Sequence, residues 1–378
     1  DNCVTQIISH YGRLLFRRPL DSGELQRYQT LTRNAWSTLG EFYGAVEFGL
    51  TALLISPDFL LRVERLQINP EQPELQQLDP FSMAERLSFF LTGASPDDKL
   101  LSAAENDELS TPTGLKKQVE RLLASPRFEY ALRDFFSDML MFDAIDELRK
   151  DPIIYPVFNS QLAYDAKEQT LRTIVYHLLE QQGDYRQLFT LRETFLTRNL
   201  GPVYRLPVTS KNGWEKKSFA ADSERVGIQS NLSFLMLHSP PGRSSPTLRG
   251  KAIREIFLCQ HMPDPPADVD FSGFNDANNM VRPTARDRLE AHRTQPICQG
   301  CHVLMDPLGL TLERLDGVGV FRTHENAQLI DVSGALDGVE FEAAAGLGQA
   351  LHDYSQTPAC LTKKMMGYAI GREIASSE

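Results

Sequence analysis

No run in this chain reaches the roughly 18 consecutive apolar residues that suggest a membrane-spanning helix. The longest candidate near the start, Phe48 to Leu61, is cut by Ser56, Pro57 and Asp58. Positive charge is also scarce: 39 basic residues face 50 acidic ones, for a formal net charge of −11. That balance speaks against a broad nucleic-acid-binding surface. No signal-like segment opens the chain, since Asp1 leads directly into polar residues, although a mature chain would already have lost one. Hydrolase and nucleotide signatures are missing too: there is no G-x-S-x-G, H-E-x-x-H, Walker loop or G-x-G-x-x-G. Cysteine is sparse, with only Cys3, Cys259, Cys298, Cys301 and Cys360.

What is present reads as helix. Apolar residues recur at helical spacing in Val4, Ile7, Ile8, Tyr11, Leu14 and Leu15, and again in Met83, Leu87, Phe90 and Leu91. Ser82 with Glu85 forms a capping-box pattern for the second run. Further helices are expected over 41–55, 112–123, 129–141 and 165–181. Leu53 to Phe59 and Leu122 to Phe128 echo each other, a helix stopping before Ser-Pro in each. One small antiparallel element is expected within 202–227, with Lys211-Asn212-Gly213 as its turn. Pro240 to Pro246 is the strongest boundary signal, a helix running through Cys259 follows it, and two helices end the chain.

The chemistry concentrates in Cys298-Gln299-Gly300-Cys301-His302. In a c-type haem site two thiols so spaced add across the porphyrin vinyl groups, and the adjacent histidine becomes the proximal iron ligand. Gly300 is expected to let the backbone pass close to the haem face, and Asp306 to Leu310 to form a tight turn. A zinc half-site needs further clustered ligands, and a thioredoxin-like pair needs a βαβ context; the sequence offers neither. Distal-ligand candidates are His238, Met365, Met280 and Met262, with Met305 too close to His302 to reach the opposite face. Arg249 and Arg293 suit haem propionates. Glu313 and Asp316 either orient His302 or shape turns. Cys259 and Cys360 lie on apolar sides of helical segments flanking the motif, so a disulfide between them is expected, with burial as small hydrophobes the alternative.

Several segments together resemble a group of secreted bacterial proteins, abundant in planctomycetes and myxobacteria, built from domains of unknown function 1595, 1592, 1588 and 1585. Phe16-Arg17-Arg18-Pro19-Leu20 resembles the end of their first module, and Ala84 to Leu91 with Ser95-Pro96-Asp97-Asp98 the hallmark of the next. Ser245 to Lys251 suggests the third. The last is carried by Pro296-x-Cys298-x-x-Cys301-His302, Asp306-Pro307-x-Gly309 and Tyr368-Ala369-x-Gly371-Arg372. The resemblance implies a cytochrome-c-like ending and assigns no reaction.

The expected architecture is mainly α: a multi-helical N-terminal domain plus a small cytochrome-c-like helical domain, with a minor β-hairpin element. Its modules are residues 1–80, 81–240 and 241–378. The expected function is periplasmic or extracellular electron transfer through one covalent haem c. Another redox protein or module is the expected partner, with no nucleic acid and no transmembrane segment. Two alternatives stand beside it. One is a haem oxidoreductase, peroxidase- or oxygenase-like, with a pocket between domains and a small molecule at the distal haem face. The other is a cofactor-free binding or scaffold protein.

Overall fold

Amphipathic helices with side-chain caps account for most of the architecture. The structure, a computed structural model, describes residues 2–69, 72–263, 281–293 and 296–375, the side chains of 291–293, 296 and 297 excepted. It is mainly helical, with small two-stranded antiparallel sheets. The chain divides into two compact units, Asp1–Asp134 and Phe135–Glu378.

In the first unit, helices Asn2–Leu15, Ser22–Leu39 and Phe42–Leu54 bury Val4, Ile8, Tyr28 and Leu53 between them. Arg17 follows the first helix in a left-handed conformation. Its guanidinium donates to the carbonyls of Leu15, Asp58, Phe59 and Leu61 and pairs with Glu85 at 2.8 Å. That one side chain ties the opening bundle to the helix Pro80–Thr92. This helix starts earlier than the capping-box pattern predicts. Asp79 is its cap, accepting from the Ser82 N–H, and Pro80 takes the first turn, where its missing N–H costs nothing. The Ser-Pro echo is real locally: Ser56 Oγ accepts from the Asp58 N–H, as Ser125 Oγ does from that of Arg127.

In the second unit the helix Ser160–Val175 runs on into a π-turn over Tyr176–Glu180. Strand Glu193–Leu196 alternates in burial and packs on that helix. It pairs with Glu215–Ser218, so the hairpin expected around Lys211-Asn212-Gly213 gives way to a longer-range pairing that encloses the short helix Gly201–Tyr204. A tight hairpin is formed by Ser333–Leu336 and Val339–Glu342, in the stretch 328–341 that the glycines Gly334 and Gly338 among apolar residues mark as a loop or short hairpin. There Asp337 and Gly338 both take positive φ, as a two-residue turn requires.

Two helices position the cysteine motif. Pro246–Ala252, which continues as a π-turn over Ile253–Phe257, lies antiparallel against Pro296–Gly309. Glycines allow the approach: a β-carbon on Gly250 would stand 1.9 Å from the Met305 carbonyl oxygen, and one on Gly309 would stand 1.8 Å from that of Pro246. The expected turn over 306–310 is therefore helix up to Gly309. Pro307 is tolerated near its end because the carbonyl it leaves unbonded belongs to Val303, which is exposed. Ala343–Asp353 and Gln356–Ile370 complete the unit as expected. The expected disulfide is present, joining Cys259, just after the π-turn, to Cys360 on the last helix.

Candidate functional site: the Cys298–His302 helix

Cys298, Cys301 and His302 all lie on the helix Pro296–Gly309. At about 100° per residue, offsets of three and four bring them to one face. Cys298 is buried and Cys301 is half-buried. The same arithmetic sends Gly300 to the opposite side, where it is exposed with no described atom within 4 Å of a β-carbon built on it. The close haem pass expected of Gly300 is therefore not what this glycine does.

His302 is anchored. Its Nδ1 lies 2.9 and 3.1 Å from the two carboxylate oxygens of Asp306, one turn further on. Asp306 is fully buried and also accepts from Thr247 Oγ1 at 2.8 Å. A carboxylate only accepts, so the pairing places the proton on Nδ1 and leaves the lone pair of a neutral ring on Nε2. Sequence reasoning passed over Asp306 in favour of Glu313 and Asp316, although the i,i+4 spacing from His302 was the available signal. Glu313 instead pairs with Arg322 at 3.0 Å and accepts from Ser244 Oγ at 2.7 Å. Asp316 shapes a turn by accepting from the N–H groups of Val318 and Val320.

Arg249 does not fit the propionate role foreseen for it. It is wholly buried, and its guanidinium donates to the carbonyls of Leu312, Leu315 and Asp316 and to Ser239 Oγ, with Glu313 at 3.4 Å. Arg293 closes the helix Ala285–Arg293, and its side chain lies outside the described residues.

The distal candidates separate. Met280 lies outside the described residues. His238 lines a cavity of about 1150 Å³ together with Leu248, Lys251, Glu255, Lys364 and Tyr368. Leu248, Lys251 and Glu255 stand on the face of their helix turned away from Gly250, and so away from the motif helix. His238 therefore belongs to a different side of the unit from His302. Burial, with Arg249 and Lys150 nearby, pushes its imidazole down to about 3. Met365 is half-buried on a helix that packs on the π-turn, on Ala343–Asp353 and on the 3-10 turn Tyr185–Phe189. Met262 is buried just beyond the π-turn, which touches the motif helix, and its N–H donates to Glu255 Oε1.

Among the described residues, no three or more His, Cys, Asp or Glu side chains converge as a metal cage. In a covalent haem the sulfurs bond to the ring periphery and only the imidazole meets the iron. The donor set thus fits haem c. Of the helices described, none is long and apolar enough to cross a membrane.

No curated protein and no solved structure matches this chain. Family models match three stretches of it, each described as a protein of unknown function: DUF1595 over residues 3–64, DUF1592 over 78–206, and DUF1588 over 225–325, the last containing the Cys298–His302 motif.

Proposed function

We propose that this chain is a c-type haem protein acting in electron transfer outside the cytoplasm, its C-terminal part being the cytochrome-like module that the family resemblance implies. The observation that carries the reading is the common helical face of Cys298, Cys301 and His302, with the His302 ring fixed by buried Asp306. Bound there, haem would supply a one-electron Fe(III)/Fe(II) couple. The chain's own contribution is attachment and orientation. Cys298 and Cys301 would hold the ring through thioether bonds, each S–H adding across a vinyl C=C with sulfur on one carbon and hydrogen on the other, and His302 would offer Nε2 to the iron. The Cys259–Cys360 disulfide supports an oxidising compartment, and hence a periplasmic or extracellular setting with a second redox protein or module as partner.

The test is expression with an extracytoplasmic cytochrome c maturation system, followed by absorption spectroscopy. An intense Soret band is expected, lost in the Cys298→Ala/Cys301→Ala variant. A spectrum unmoved by carbon monoxide or peroxide supports electron transfer. Binding of either would favour small-molecule chemistry at the iron. A colourless wild-type protein ends the proposal.

A further inference from the structure

We infer that Asp306 is a positioning residue for the iron, a buried anion that acts through His302 to favour the oxidised metal, with Thr247 holding it in place. The inference rests on the haem reading of the motif. Asp306 is fully buried, and both its oxygens face His302 Nδ1 at 2.9 and 3.1 Å. A carboxylate in that position draws the Nδ1 proton toward itself and makes Nε2 a stronger donor, as carboxylate partners of metal-bound histidines do. Its negative charge in a low-dielectric interior also stabilises the more positive ferric iron relative to the ferrous form. Both effects lower the reduction potential.

The geometry is imposed from outside the motif helix. Thr247 Oγ1 donates to Asp306 Oδ1 at 2.8 Å, from a helix that Gly250 lets approach to contact with Met305. That hydrogen bond disperses some of the carboxylate charge, so Thr247 moderates the pull that Asp306 exerts.

The test is spectroelectrochemical titration of the haem-loaded full chain and two variants, with the iron–histidine stretch read by resonance Raman spectroscopy wherever a five-coordinate ferrous form is obtained. Asp306→Asn keeps an acceptor for Nδ1–H and removes the charge. We expect its reduction equilibrium to shift at least tenfold toward ferrous iron, about 59 mV upward for one electron, with a lower iron–histidine frequency. Thr247→Val should shift the potential the opposite way. If both variants titrate with the wild-type potential while holding covalent haem, the inference fails and the haem reading stands. If Asp306→Asn does not mature, the Thr247→Val shift decides: downward supports the inference and no change overturns it. A wild-type protein without haem removes both.

Discussion

At Arg249 the guanidinium has four hydrogen-bond acceptors, three carbonyls and a hydroxyl, as well as the Glu313 carboxylate, all inside the second unit. Burial pulls its pKa down while Glu313 holds it up, so the side chain persists through its partners. Truncation would leave a buried carboxylate and three backbone acceptors short of donors. Arg249→Ala should therefore cost about 3–5 kcal/mol in urea unfolding. Arg249→Lys should recover only part of this, because an ammonium cannot reproduce a planar fork. A loss below about 1 kcal/mol would show that the network reforms around the gap. The residue type was visible in the sequence but its burial was not, since an arginine next to a cofactor and one locked in a core look alike without the fold. Cys298, Cys301 and His302 were legible because their chemistry is local. Asp306 could have been found, as its partner lies one helical turn away. Thr247 could not, because it comes from another helix.

Helices were legible where caps and periodicity agree, as at Pro112–Leu123, which starts at the expected residue behind a Thr111 cap. They were misjudged where two caps compete, as at Asp79 and Ser82, because the sequence does not show which side chain reaches its N–H. The contact between Pro246–Ala252 and Pro296–Gly309 rests on backbone meeting backbone. Gly250→Ala would press a methyl group into the Met305 carbonyl, an overpacking expected to cost about 1–3 kcal/mol. Gly300→Ala, on the open side of the partner helix Pro296–Gly309, should be neutral or stabilising by up to about 1 kcal/mol. Chemical denaturation of both variants compares them directly, and equal effects would contradict the helix-face assignment. In the first unit, Glu24 accepts hydrogen bonds from Arg18 and from the Asp21 N–H. The Arg18 bond, chiefly, brings its carboxyl down to about 2. Because the folded value lies below the ordinary one near 4.5, this contribution is fully present above that pH and disappears as pH falls toward 2. Thermal melts between pH 6 and 2 should decline less steeply for Glu24→Gln than for wild type. Parallel declines would mean that the pair contributes little.

Across the whole chain, the mainly helical class follows from composition and periodicity, and the Cys259–Cys360 link could be anticipated from apolar faces flanking the motif. The long-range strand pairing could not. Glu193–Leu196 meets Glu215–Ser218 through a tertiary approach that no local turn announces. The large cavity was equally invisible, because its lining comes from segments far apart in sequence. All the functional claims converge on whether Cys298 and Cys301 become thioethers. The mass of the intact chain under denaturing conditions, after expression with cytochrome c maturation, tests this most directly. A gain of one haem, retained through denaturation and confined to the peptide bearing Cys298 and Cys301, is the predicted result. An unmodified mass with both thiols open to alkylation would contradict it.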